Sequence, residues 1–255
     1  MNKRPLHLTA GSLLLIAVIV ACSLSPAGPS ASQPAANPAS GSCANPYYPV
    51  TSGNTWSYSS LGSALGRYTY SMTVANLGVN SFTTNEQSSL GAGTSSVIKW
   101  NCMNGNLAAV DAGADSLSLA TSKMTFTSSS VSAEGYNIPN AFSPGTDWSE
   151  RVLIKGVVVS GARTVDSQIA SKLDCNVAGS DTVTVPAGTF NTVEVTCQQT
   201  VVVSMVLPKG TPVPAGAPVT VNITNWYAKG VGLVKSVRSM VGHTNTIVLT
   251  EYKLQ

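Results

Sequence analysis

From residue 54 onward the chain alternates apolar and polar side chains with a period of two, in stretches broken by Gly, Asn and Pro. No long stretch repeats its apolar residues every 3.6 positions. Val, Thr, Ser, Tyr and Ile dominate these stretches, and such residues fit a pleated, half-buried surface. The pattern predicts an all-β chain with strands over 54–60, 66–76, 79–85, 95–101, 123–131, 151–160, 163–176, 181–186, 189–207, 219–228, 232–241 and 244–254. One hairpin is legible in detail. Val183 and Val185 alternate with Thr182 and Thr184, Pro186-Ala187-Gly188 turns the chain, and Phe190, Val193 and Val195 continue it. Between Phe190 and Val193 the apolar positions change parity, so a bulge or a change of face is expected near Asn191-Thr192. The stretch Pro208–Pro218, between two valine-rich runs, reads as a long loop.

The start of the chain follows a different pattern. Lys3 and Arg4 precede a short apolar run, Leu13–Ala21, that ends at Cys22; a basic start, a short apolar block and small residues before a cysteine make an export signal. The block is short for a bilayer span. Ile19-Val20-Ala21-Cys22 resembles the bacterial lipobox, which implies that residues 1–21 are removed and that Cys22 becomes the lipidated mature N-terminus. More than one acyl chain on Cys22 makes a stable anchor, at about 0.8 kcal/mol per buried CH₂. Ser23 at the following position is compatible with onward sorting to an outer membrane. Residues 22–42 carry almost no large apolar side chains and no charge, the composition of a flexible, partly extended tether. The expected organisation is therefore a signal over 1–21, a lipid-anchored linker over 22–42 and one β-rich domain over 43–255.

Loss of the signal leaves 14 − 2 = 12 Lys and Arg against 11 Asp and Glu. A near-neutral body without a Lys/Arg cluster lacks the electrostatic footprint of a nucleic-acid partner. Besides Cys22 there are Cys43, Cys102, Cys175 and Cys197, an even number in an exported chain, so two disulfides are expected. Of the three pairings, Cys43–Cys102 with Cys175–Cys197 is preferred: the second pair brackets one hairpin and the first then ties the mature N-terminus to the sheet. No two cysteines have C-x₂-C spacing, and His243, the histidine left after signal removal, is far from them, so no metal or other cofactor is expected.

Three short motifs are spread over most of the mature chain: Tyr48-Pro49-Val50-Thr51-Ser52-Gly53-Asn54-Thr55-Trp56-Ser57-Tyr58, Val185-Pro186-Ala187-Gly188-Thr189-Phe190, and Trp226-Tyr227-Ala228-Lys229-Gly230-Val231-Gly232-Leu233-Val234. Together they resemble a group of uncharacterised bacterial lipoproteins, TapB-like. The resemblance implies a single antiparallel, strongly curved sheet, a half-barrel or sandwich similar to those of lipoprotein carriers, and it brings no catalytic residues. Read from the residues themselves, Trp56 and Tyr58 share a strand face and can anchor a core, while Gly230 and Gly232 point to a turn or a close backbone approach.

Reactive chemistry is sparse. His243 sits in Gly242-His243-Thr244-Asn245, a hairpin-turn composition rather than the setting of a catalytic base. Ser96-Val97-Ile98-Lys99 matches S-x-x-K in a strand-like context that lacks the companion motifs of penicillin-recognising enzymes. Asp147 with Glu150 and Asp111 with Asp115 are the close carboxylate pairs. The first is read in an exposed loop entering a strand, with Trp148 packing, and the second lacks the ligand series of an EF-hand. These observations order three functions: a monomeric, non-enzymatic, lipid-anchored binding or structural module of the cell envelope that contacts glycan or protein; a carrier of a lipophilic ligand in the concave face; and, last, an envelope hydrolase.

Overall fold

The computed structural model describes residues 41–62, 66–89, 94–110, 124–160, 163–207 and 210–255. These form thirteen strands in one sheet: β1 (Thr55–Ser60), β2 (Thr69–Ala75), β3 (Ser81–Ser88), β4 (Thr94–Met103), β5 (Asn106–Ala109), β6 (Met124–Gly135), β7 (Asp147–Ser160), β8 (Arg163–Val185), β9 (Gly188–Val206), β10 (Pro212–Pro214), β11 (Val219–Ala228), β12 (Gly232–Met240) and β13 (His243–Lys253). Their spatial order is β5-β4-β3-β2-β1-β13-β12-β11-β9-β8-β7-β6, with β10 on the side against β9. Most neighbours in sequence pair as antiparallel hairpins; β5 and β6 stand instead at opposite ends of this order, β10 and β11 both pair with β9, and a long-range ladder joins β1 to β13. An isolated bridge between Leu107 of β5 and Ile138, just past β6, joins the two ends of this order. The all-β, strongly curved sheet is therefore a nearly closed barrel, and the bridge removes an exposed edge where it forms.

Strict alternation decides which residues face inward. Along β1 Trp56, Tyr58 and Ser60 are buried, along β7 Trp148, Glu150, Val152 and Ile154, and along β9 Val195 and Cys197. Two apolar clusters fill this inner face. The larger is built around Trp56, Tyr58, Phe82, Trp100, Leu107 and Leu249; the smaller joins Val152, Ile154, Ile169 and Val201 along the long β7–β9 strands.

The structure corrects several expected boundaries. The segments 163–176 and 181–186 are a single strand, β8, because a bulge between Val177 and Gly179 absorbs the irregularity that read as a break. The parity change expected near Asn191-Thr192 falls opposite that bulge. Buried positions on β9 run Phe190 and Thr192, then Val195 and Cys197. β7 begins at Asp147, so Asp147–Glu150 belongs to a strand and not to an exposed loop. β5 was not expected; it is folded back on β4 by a two-residue turn at Asn104-Gly105, both at positive φ, the type I′ geometry that this dipeptide favours. Within Pro208–Pro218, Pro212–Pro214 pairs with β9, and proline is accommodated there because β10 is an edge strand.

Candidate functional site

The three motifs converge on one end of the barrel. Tyr48 is wedged inside, its ring centroid 5.6 Å from Trp56, 5.9 Å from Phe82 and 5.4 Å from Trp100. Trp56 Nε1 donates to the Val231 carbonyl at 2.6 Å and the Tyr58 hydroxyl donates to the Leu233 carbonyl at 3.0 Å, so the first motif is bonded to the third. The Gly230-Val231-Gly232 turn has both glycines at positive φ, and Gly230 N–H donates to the Pro46 carbonyl at 2.7 Å. The second motif joins through Ala187 N–H to the Leu249 carbonyl and through Phe190 against Tyr252. The buried aromatic residues and glycines of the motifs thus build the fold. Their burial drives the hydroxyls of Tyr48 and Tyr58 well above the usual phenol range.

Disulfides join Cys43 to Cys102 and Cys175 to Cys197, the pairing preferred from the sequence. The first pins residues 43–50 across the aromatic end, where the buried Asn45 donates to the carbonyls of Gly105 and Pro139 at 2.7 and 2.9 Å. The second is a cross-strand bond on the inner face of β8 and β9. Disulfides of this kind fit a protein that folds outside the cytoplasm.

At the seam between the sheet ends stands a feature that the motifs did not point to. The Asn137 side chain accepts from Ala109 N–H at 2.6 Å through Oδ1 and donates to Glu150 Oε2 at 2.5 Å through Nδ2, while its carbonyl accepts from Trp148 Nε1 at 3.1 Å. Glu150 is 5% exposed and its Oε1 has no hydrogen-bond partner. Burial pushes this carboxyl up to about 7, against the downward pull of Asn137 and the Ala109 backbone. The unbroken alternation Trp148, Glu150, Val152, Ile154 carried the signal that Glu150 faces inward. A second acid, Glu86, is also raised by burial, opposed by hydrogen bonds with Tyr70 and Ser96 and by the charge of Arg238.

A groove of about 710 Å³ runs across β7, β8, β9 and β11. Its outward-facing lining is polar: Asp147, Asp174, Asn176, Thr196, Gln198 and Asn222 are on the face of the sheet opposite to the buried Trp148, Cys175, Cys197 and Ile223. Amides and hydroxyls here bond across strands, Thr196 donating to Asn176 and Gln198 donating to Asn222. A smaller groove of about 550 Å³ lies by the β8–β9 hairpin, lined by Tyr47, Asp181, Asn191 and Lys229 among others.

The other candidate chemistries are dispersed. His243 opens β13 beside the Val241-Gly242 turn. Ser96 and Lys99 lie along β4. Asp147 and Glu150 point to opposite faces of β7 and cannot act as a pair. Trp148 packs inward against Phe142. Asp111 and Asp115, like Cys22, lie outside the described residues. Among the described residues no group of three or more His, Cys, Asp or Glu is placed to hold a metal ion.

No curated protein matches this chain. Two solved structures resemble it: a candidate lipoprotein from Parabacteroides distasonis, 19% identical, covering 82% of this chain and 99% of the other at a TM-score of 0.49, and a candidate exported protein with a YmcC-like fold from Bacteroides fragilis, 15% identical, covering 81% and 98% at 0.48. The resemblance drawn from the three motifs holds at the level of the family. The DUF3108-like model matches residues 81–239, more than half of the sequence, and the chain belongs to the DUF3108-like family.

Proposed function

We propose that this chain is an exported bacterial lipoprotein, anchored by acylated Cys22 through the 22–42 tether, whose β-domain is a non-enzymatic binding module for a hydroxyl-rich glycan of the cell envelope. The observation that carries this reading is the polar groove across β7, β8, β9 and β11. Four strands at ~4.8 Å spacing give it a width of about 14 Å. Its amides and hydroxyls supply donors and acceptors beside two carboxylates, Asp147 and Asp174, the second paired with Lys172 at 2.7 Å, a lining that suits neutral polyols and disfavours polyanions. The test is retention of the full-length lipoprotein, in detergent micelles, on immobilised envelope polysaccharides. The Gln198→Ala/Asn222→Ala variant, altered only on the outward face, should lose retention with an unchanged far-UV circular dichroism spectrum. Equal retention by the variant would sink the glycan reading.

A second reading, a carrier of a lipophilic ligand, is favoured by a different observation. Val165, Met205, Val213 and Val219 continue the apolar inner face beyond Ile169 and Val201, and all four are exposed. At the opposite, motif-bearing end the inner face is filled by Tyr48 and its aromatic neighbours. Organic extraction of purified protein discriminates: lipid recovered at close to one mole per mole supports the carrier.

A further inference from the structure

Among the described residues the ends of the sheet meet without a continuous ladder, through single hydrogen bonds that include Asn140 N–H to Asn106 Oδ1 at 2.9 Å, Asn140 Nδ2 to the Asn104 carbonyl at 3.0 Å, and the buried Asn45 to the carbonyls of Gly105 and Pro139. Leu107 and Ile138 exchange N–H and carbonyl at 2.9 and 3.1 Å, and Asn137 N–H donates to the Leu107 carbonyl at 2.9 Å. The Asn137 side chain spans the same junction, holding Ala109 of β5 with one atom and Glu150 of β7 with the other. Around Glu150 the facing groups are Ala109 from β5, its register partner Gly135 from β6, its register partner Leu173 from β8, and Asn137. None of them carries a charge, and Oε1 is unpartnered. An ionised carboxylate there has the Asn137 amide and the Ala109 backbone to favour it and no cation, and burial outweighs both, a costly state for a buried charge. β7 is held between long ladders to β6 and β8 and cannot readily move away from the interior. The short seam can.

We propose that the Asn137–Glu150 contact is a pH-responsive clasp that keeps the two ends of the sheet joined while Glu150 is protonated and lets them part when that carboxyl ionises. The carboxyl sits higher in the closed barrel, at about 7, than its ordinary 4.5. Its stabilising contribution is therefore full below about 4.5 and is lost as pH rises through about 7.

The experiment is amide hydrogen exchange on the full-length lipoprotein in detergent micelles, corrected for the intrinsic pH dependence of exchange. Between pH 5 and pH 8.5 the amides of Leu107, Ala109, Asn137 and Ile138 should lose protection by on the order of 50-fold, the amount set by the displacement of Glu150. Amides in the centre of β8 and β9 should not. Glu150→Gln keeps an acceptor for Asn137 and cannot ionise, so its seam should be equally protected at both pH values. Seam protection that does not change with pH in the wild type, or that changes equally in the Gln variant, overturns the proposal. A carboxyl carbon NMR titration of wild-type Glu150 tests it without any variant: a midpoint near 7 supports the clasp, and one near 4.5 removes it.

Discussion

Trp56 Nε1 lies 2.6 Å from the carbonyl oxygen of Val231, a hydrogen bond between residues 175 apart in the chain. It ties the first strand to the turn before β12 inside a fully buried shell, since Trp56 is 1% exposed and Val231 0%. Trp56→Phe keeps most of the apolar contact and deletes the donor, which leaves a buried carbonyl unsatisfied. The expected loss is about 2 kcal/mol, from the lost donor and the smaller ring. Urea unfolding with an unchanged m-value measures it, and a loss below about 0.5 kcal/mol would show that the bond is replaceable.

The two disulfides should differ in what their removal does. Cys43–Cys102 spans 59 residues and Cys175–Cys197 spans 22. On the chain-entropy account these correspond to about 4 and about 3 kcal/mol. Cys43→Ser/Cys102→Ser also frees the segment that carries Tyr48, so limited proteolysis should cut near residues 43–50 in that variant. Cys175→Ser/Cys197→Ser should lose stability without new cleavage there, because the β8–β9 ladder continues on both sides of the bond.

Gly135 and Gly145 make a controlled pair. Both have positive φ, 83° and 77°, but a Cβ at Gly135 would meet the Ser149 carbonyl oxygen at 2.1 Å while one at Gly145 meets nothing within 4 Å. Gly145→Ala should cost only the conformational strain, roughly 1–2 kcal/mol. Gly135→Ala adds a backbone clash beside the seam and should cost at least about 2 kcal/mol more. Thermal unfolding of the two variants side by side gives the difference; equal midpoints would mean that the strand end shifts to accommodate the methyl group.

The anchor has its own test. Cys22→Ser removes the residue on which lipidation depends, so fractionation should find the β-domain in the soluble extracytoplasmic fraction or as an uncleaved precursor. A cleaved variant that stays in the membrane at the wild-type level would refute the anchor and leave the description of the β-domain untouched.

Strand content, the Pro186–Gly188 hairpin and the Cys175–Cys197 pairing were legible in the sequence because each depends on near neighbours, and Cys43–Cys102 then followed as the pair left over. A two-residue alternation states which faces are apolar, turn residues state where the chain reverses, and a cysteine pair flanking one hairpin is brought together by that hairpin. Asn104-Gly105 carried the same kind of local signal for β5. Closure of the sheet is of another kind. It needs the twist accumulated over twelve strands to bring Leu107 to Ile138, and no window of sequence contains that sum. The environment of Glu150 follows from it. The alternation around Trp148 and Val152 settles which way the carboxyl points. Only the meeting of β5 with the segment beyond β6 determines that it points into a buried seam against Asn137, because burial and hydrogen-bond partners are properties of surfaces that come together after the strands have formed.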